Sequence, residues 1–143
     1  LESLERVLEG ATDAEASFSP GPEEWSVKET LVHLIQDERD KHRWITDLVG
    51  DQERFYDEWP GNHLFRIRAT LTTYPKVDDL LAELRRSLKE TVAIVAFIDP
   101  SFTRRKASYW RLGFDLLGTP VHIQEHIKQI EDNISAARAS KNE

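Results

Sequence analysis

The chain has 143 residues, which suits one domain of about 100–200 residues, so we expect residues 1–143 to form a single domain. Its 39% hydrophobic content excludes a disordered chain, and the net charge of −7, from 19 basic and 26 acidic residues, disfavours nucleic acids and anionic lipids as partners. The absence of Cys excludes disulfides and a protein thiol nucleophile, so that any metal must be held by His and carboxylates.

Apolar residues recur at three- and four-residue spacing in four separate segments, which predicts an all-α protein. The first predicted helix closes at Gly10, and because the chain lacks Met and opens on Leu1, we expect this helix to be part of a longer one. A turn-rich stretch follows. The second helix begins at Ser26, which forms an S-x-x-E capping box with Glu29, and it ends at Gly50.

The second half of the chain contains two more predicted helices, each preceded by a long connection. Residues 51–76 are interpreted as a structured connection that packs over the helices, and the third helix covers Val77 to Ile98. Residues 99–118 are predicted to be a second connection, after which Thr119 and Pro120 are the N-cap and first-turn residues of the fourth helix. Its inner face is predicted to be a row of apolar residues: Ile123, Ile127, Ile130, Ile134 and Ala137.

The chain carries no sign of membrane insertion or export. No apolar run approaches the roughly 20 residues that span a bilayer. No charged, apolar and small-residue signal opens the chain. The expected location is therefore the cytoplasm, with no membrane among the partners.

Three histidines form the candidate metal site. His122 and His126 are four residues apart, which places them on one face of a helix, and His33 of the second helix can supply a third ligand. Zinc and similar divalent ions accept imidazole nitrogens at about 2.0–2.1 Å, and three protein ligands leave a fourth position for water or substrate. Because His122 would be third in its helix, the helix dipole would favour its neutral, metal-binding form.

Other polar residues border the same site. On a helical wheel the three histidines lie beside the apolar stripes and not within them, which favours an open cleft. Asp37, one turn beyond His33, could orient an imidazole by accepting its N–H or could ligate the ion directly. Gln129 and Asn133 continue along the edge of the fourth helix and could hold a substrate.

Each of these features also has a structural interpretation. On spacing alone, two histidines four residues apart are more commonly solvent-facing than metal-bound. His42 and His63 are predicted to be surface or loop residues, because neither has a second His at helical spacing. The tryptophans are predicted to pack rather than to form a stacking platform: Trp25, Trp44, Trp59 and Trp110. A basic cluster is interpreted as a solvated loop, with recognition of an anionic substrate as the alternative: Arg104, Arg105, Lys106 and Arg111.

Two segments resemble motifs of the DinB/YfiT-like superfamily. Residues 22–34 resemble the W-S-x-x-E-x-x-x-H-L opening of helix 2 in that family. Residues 122–130 are similar to the H-x-x-x-H-x-x-Q-I motif of its last helix. The order and separation of the two motifs also match, so the resemblance extends over nearly the whole chain.

The resemblance implies a four-helix bundle with up-down-down-up order and one long crossover connection. It further implies a divalent metal, zinc or nickel, on His33, His122 and His126. Bundles of this family are often dimeric, so a homodimer is expected. Characterised relatives include transferases and isomerases that use low-molecular-weight thiols such as bacillithiol, mycothiol or glutathione.

The preferred hypothesis is a metal-dependent enzyme that activates a thiol for transfer to a small electrophile, with metal-assisted hydrolysis as the second reaction. Because the chain has no Cys, the thiol must come from a cosubstrate. The alternative is a noncatalytic bundle that binds a ligand or partner and keeps a vestigial or empty histidine site. A role in DNA damage is suggested only by the family's name and gains no support from the net charge.

Overall fold

The structure, a computed structural model, describes residues 1–52 and 63–141. Those residues form six α-helices, one 3-10 helix and no β-strand, which confirms the all-α prediction. The helices are α1 (Glu2–Leu8), α2 (Asp13–Ala16), α3 (Val27–Val49), α4 (Leu64–Thr73), α5 (Val77–Ala96) and α6 (Lys106–Ala139), and the 3-10 helix is Pro100–Arg104.

The capping box predicted at the start of the second helix is present at the start of α3. Ser26 Oγ accepts a hydrogen bond from the Glu29 N–H at 3.3 Å, and the Glu29 carboxylate accepts one from the Ser26 N–H at 2.8 Å. Two backbone donors that the helix leaves without partners are thereby satisfied. The helix ends at Val49 and is followed by Gly50, as predicted.

Helix α3 runs parallel to α5. At the beginning of both helices, Lys28 Nζ donates to the carbonyl of Pro75 at 2.6 Å. Further along both, His42 Nε2 lies 2.9 Å from Thr91 Oγ1. Because the contacts advance together along the two helices, α3 and α5 point the same way. The long connection between them is therefore the crossover that the family resemblance implies.

Helix α6 runs antiparallel to α3. Asn133, near the end of α6, donates to the carbonyl of Trp25, just before α3, at 2.6 Å. Lys41, in the second half of α3, donates to Thr119 Oγ1 at 2.6 Å. The pairing order is reversed, which defines opposite directions for the two helices.

Helix α1 runs parallel to α6. Leu1 and Ile123 line one cavity, and Val7 and Ile134 line another, so neighbouring positions advance together along the two helices. The four main helices α1, α3, α5 and α6 therefore have the up-down-down-up order.

The crossover contains a helix that the sequence analysis did not separate from the connection. Helix α4 packs antiparallel to α3, since Arg66 pairs with Asp40 at 2.7 Å and Gln36 donates to Thr70 Oγ1 at 2.6 Å. The prediction that this connection packs on the bundle is therefore confirmed for α4. Three aromatic residues assigned to the same connection lie outside the described residues: Phe55, Tyr56 and Trp59.

The predicted start of the fourth helix at Thr119 is wrong. Helix α6 begins at Lys106 and continues through Pro120, so residues 99–118 are not a long connection. Proline lacks the N–H that would bond the carbonyl four residues earlier, and its ring disfavours the helix interior. Buried residues on both sides of it, Leu112 and Ile127, pack against the rest of the bundle, and this packing is the reason that the helix continues.

The apolar core consists of a main cluster and a smaller one. The predicted inner face of the fourth helix is confirmed, because Ile127, Ile130 and Ile134 are buried in the main cluster and Ile123 packs against it. The smaller cluster lies at the end of α3, where Leu48 meets residues of the 3-10 helix and α6. Within the described ranges, no helix has the length and apolar character needed to cross a bilayer.

Several surface predictions need correction. His42 is not a loop or surface residue but packs between α3 and α5, with only 16% of its side chain exposed. Trp110 is 64% exposed, so the packing prediction is wrong for this tryptophan. Arg105 is not part of a solvated loop, because its guanidinium donates to the carbonyls of Val49 and Leu48 at the end of α3.

Candidate metal centre

The three predicted histidines lie together where α3 and α6 cross. His33 Nε2 is 3.2 Å from His122 Nε2, and His126 Nε2 is 3.0 Å from the same atom. One nitrogen of each ring lies within 4.8 Å of those of the other two. Among the described residues this is a group that could hold a metal ion, and its ligand atoms come from two helices that are distant in sequence.

The arrangement fits a divalent ion. Imidazole nitrogens bound at about 2.0–2.1 Å in a tetrahedral site are about 3.3 Å apart. The two Nε2 to Nε2 distances in the structure, 3.0 and 3.2 Å, are only slightly shorter. Three neutral imidazoles are also a common donor set for zinc, nickel, copper and iron. Small side-chain rotations would therefore suffice to accommodate an ion.

Local structure explains how the rings reach this point. The Ser26 capping box fixes the start of α3, and His33 lies two turns into the helix with 6% exposure, its ring 5.1 Å from that of Trp25. His33 is thus more deeply buried than its position beside the apolar stripe indicated. His122 lies in the middle of α6 and not in a first turn, so the dipole argument for its neutral form does not apply.

The carboxylate of Asp37 lies beside His122. Its Oδ2 is 3.6 Å from His122 Nδ1, the nitrogen that faces away from the other two histidines. The Asp37 carboxylate raises the pKa of His122 above its usual value. Burial acts to raise the pKa of Asp37, but His122 and the Lys41 ammonium outweigh it, and that pKa is lowered. Asp37 is placed to orient the imidazole, while the group that could hold a metal consists of the histidines alone.

Gln129 has the corresponding position at His126. Its Oε1 lies 2.9 Å from His126 Nδ1, and as a carbonyl oxygen it can only accept, so it favours the tautomer with Nδ1 protonated and Nε2 free to ligate. Burial lowers the pKa of His126, which favours the neutral ring that metals bind. Asn133 is predicted from the sequence to hold a substrate, but its side-chain NH2 donates a hydrogen bond to the carbonyl of Trp25.

A cavity of about 600 Å³ opens over the histidines. This volume lies within the range of about 300–1,000 Å³ that is typical of small-molecule sites. Several of the residues that line it are not among the site residues predicted from the sequence. They are Lys41, Phe114, Asp115, Gly118 and Thr119.

Lys41 is a buried ammonium that donates two hydrogen bonds and lies near a second carboxylate. Its Nζ donates to Glu38 Oε1 at 2.7 Å and to Thr119 Oγ1 at 2.6 Å, and Asp37 Oδ2 lies 3.8 Å away. Glu38 also accepts a hydrogen bond from the hydroxyl of Thr91 at 2.5 Å. This network joins α3, α5 and α6 directly beside the histidines, so it stiffens the wall of the cavity.

Asp115 lies at helical spacing from the two histidines of α6, but the wrong start predicted for the fourth helix excluded it from that helix. Asp115, His122, His126 and Gln129 are separated by seven, four and three residues, which is the spacing of one helical face. The interpretation of residues 99–118 as a connection removed Asp115 from that face. Lys41 likewise follows Asp37 by one turn of the second helix.

Comparison with known proteins identifies one family. The family model of the DinB superfamily matches residues 1–130, a segment that includes all three histidines. No curated protein and no solved structure matches the chain.

Proposed function

The chain belongs to the DinB superfamily, and from this membership and its three converging imidazoles we propose that it is a divalent-metal-dependent enzyme. It activates a low-molecular-weight thiol, or in second place water, for attack on a small electrophilic substrate. The observation that carries the proposal is the set of Nε2 atoms at 3.0 and 3.2 Å from two different helices, beneath a cavity of small-molecule size.

His33, His122 and His126 would hold the ion, with zinc or nickel as the proposed metal. A bound divalent ion lowers the pKa of a thiol or water, which makes a nucleophile available at neutral pH. Asp37 and Gln129 keep two of the rings oriented, since each faces the Nδ1 atom of a neighbouring histidine.

The remaining cavity residues exclude water and position the reactants. Trp25 and Phe114 provide aromatic surface beside the histidines. In thiol transfer the sulfur forms a bond to the electrophilic carbon, the bond from that carbon to its leaving group breaks, and the thiol proton passes to solvent. The chain has no Cys, so this sulfur belongs to a cosubstrate.

A homodimer is part of the proposal, formed through an exposed apolar stripe on α6. The stripe consists of Trp110, Phe114, Leu117 and Val121, which are four, three and four residues apart and 64%, 68%, 78% and 60% exposed. This is the spacing at which two helices pack against each other. An antiparallel second copy would place the basic start of α6 beside the acidic residue Glu125, so the charges are complementary.

Metal analysis of protein purified without a nickel column tests the metal site. We expect about one equivalent of zinc or nickel per chain and a loss of more than half of it in His126→Ala, because two imidazoles hold a divalent ion poorly. His63→Ala is the matched control, since His63 precedes α4 and is not in the cluster. Less than half an equivalent in the unaltered protein, unchanged by His126→Ala, would favour the noncatalytic bundle.

Turnover tests the reaction itself. The metal-loaded protein, incubated with a thiol and a chlorinated or epoxide electrophile, is expected to form the thioether, and His33→Ala is expected to abolish it. Equal turnover by both proteins would contradict the proposed mechanism.

A further inference from the structure

We propose that Asp115 is the substrate-recognition residue of the cavity and that it binds a protonated amine on the molecule that occupies it. The inference rests on the proposed function, because it concerns the thiol cosubstrate of the same site. Asp115 neither belongs to the three-histidine group nor faces one of its rings, so the proposed metal site gives it no role.

The first observation is an unsatisfied acceptor. Asp115 lies on α6 and lines the same cavity as the three histidines. Its Oδ2 is buried and has no hydrogen-bond partner among the residues that the structure describes. Leaving a buried acceptor unsatisfied costs free energy, so an atom in this state next to a cavity is suited to a donor on a ligand.

The second observation is that the nearby cation is already engaged. Among the described residues that line this cavity, Lys41 is the one lysine, and its ammonium donates to Glu38 and Thr119. Asp37 faces both Lys41 and His122. Among the acidic side chains of the described cavity wall, Asp115 is the one left with an unsatisfied oxygen.

The charges of the site favour a cationic donor over a neutral one. Glu38 and Lys41 form a neutral pair, while Asp37 and Asp115 contribute one negative charge each. A divalent ion on neutral imidazoles balances these two charges. A thiolate then adds an uncompensated negative charge, which an ammonium group on the same molecule cancels.

The environment of Asp115 agrees with this assignment. Burial raises the pKa of the Asp115 carboxyl, and the negative charges of Asp37 and Glu38 act in the same direction against the attraction of Lys41. An ammonium group next to the carboxylate would reverse this effect by stabilising its charged form. An aminothiol can therefore bind with its sulfur toward the histidines and its nitrogen toward Asp115.

The test compares two thiols of equal length, cysteamine and 2-mercaptoethanol, by isothermal titration calorimetry with the zinc-loaded protein. Charge-assisted hydrogen bonds are the stronger kind, so we expect cysteamine to bind about tenfold or more tightly than 2-mercaptoethanol. In Asp115→Asn this preference is expected to disappear. Asp132→Asn, which changes an exposed carboxylate of the same helix paired with Lys128, is expected to keep it.

Thermal unfolding separates recognition from support of the fold. Asp115→Asn removes the charge of a partly buried carboxylate whose Oδ2 accepts no hydrogen bond from a described residue, so we expect the variant to be at least as stable as the unaltered protein while it loses the preference for cysteamine. A clear drop in its unfolding temperature would mean that Asp115 holds the fold, and would overturn the assignment.

The outcomes also separate this inference from the proposed function. Zinc and thiol binding without a preference for cysteamine, or with the same preference in Asp115→Asn, would overturn the role of Asp115 and leave the metal site standing. Failure to bind zinc at the histidines would overturn both.

Discussion

Single residues around the histidines control which imidazole nitrogen is available to a metal. His122 Nδ1 faces the Asp37 carboxylate, and His126 Nδ1 faces Gln129 Oε1. In both rings the opposite nitrogen, Nε2, points into the cluster. Partners of this kind keep the ring orientation and increase the basicity of the ligand, so their effect is measurable in metal affinity.

Asp37→Asn tests this arrangement. Asn keeps the shape of the side chain but removes the negative charge, so we expect the dissociation constant for zinc to rise about 10–100-fold while the saturating stoichiometry stays the same. A competition titration with a chromophoric chelator measures it. The control is Asp47→Asn, on the same helix, where the carboxylate lies 3.9 Å from Arg43. Equal affinities in the Asp37 variant and the unaltered protein would mean that the carboxylate does not orient the ring.

At the scale of elements, the short helix α2 connects the segment after α1 to the end of α6. The four-residue helix α2 has a complete capping box, in which Thr12 Oγ1 accepts from the Glu15 N–H and the Glu15 carboxylate accepts from the Thr12 N–H. The same carboxylate lies 3.1 Å from Lys141, just after α6. Glu15 therefore ties the segment after α1 to the end of the last helix.

The contribution of these Glu15 contacts to the stability of the fold depends on pH. The Thr12 N–H and then Lys141 lower the pKa of Glu15 from 4.5 to about 2. A carboxylate whose pKa is lowered by folding stabilises the protein above its unfolded pKa, and that contribution is lost as the pH falls through the folded value. We expect the unfolding temperature of Glu15→Gln to be lower than that of the unaltered protein at pH 7, with the difference shrinking between pH 4.5 and 2.

Thermal melts of both proteins across this pH range provide the measurement. Glu9→Gln, at an exposed position after α1, is the matched control and is expected to follow the unaltered protein throughout. If the unfolding temperatures of Glu15→Gln and the unaltered protein differed by the same amount at every pH, the assignment would be contradicted. Such a constant difference would mean that the stabilisation does not depend on the charge of the Glu15 carboxylate.

At the scale of the whole molecule, the exposed apolar stripe on α6 adjoins the cavity over the histidines. Phe114 belongs to the stripe and also lines the cavity over the histidines, and its ring stacks on that of Trp110 with centroids 5.3 Å apart. Contiguous exposed apolar surface on a folded domain is typical of an interaction site. A second copy packed on this stripe would cover one side of the cavity.

Leu117→Glu tests the dimer. A charge in the middle of the stripe would have to be buried without a partner, so we expect the unaltered protein to sediment as a dimer and the variant as a monomer with unchanged helical content. Sedimentation equilibrium and circular dichroism measure the two properties. Leu64→Glu, at a 55% exposed position on α4, is expected to remain dimeric. A monomeric unaltered protein, or a dimeric Leu117→Glu variant, would contradict the proposed interface.

Local chemistry allowed much of the fold and part of the site to be predicted. The apolar spacing, the Ser26 capping box, the bounds of α3 and the start of α5 depend on residues within a few positions of one another, and the structure confirms them. Helix α5 ends at Ala96, two residues before the predicted Ile98. The position of His122 and His126 on one helical face follows from the same short-range geometry. That residues 1–143 form a single domain stays a prediction.

Only the tertiary structure decided how the helices meet. Local signals favoured a helix start at Pro120, but packing of buried residues before and after it keeps α6 continuous. The approach of His33 to the other two histidines, and the placement of Lys41 and Asp115 in the same cavity, depend on α3 and α6 lying antiparallel. Such contacts join residues far apart in sequence and arise from burial of shared apolar surface, which no short stretch of the chain specifies alone.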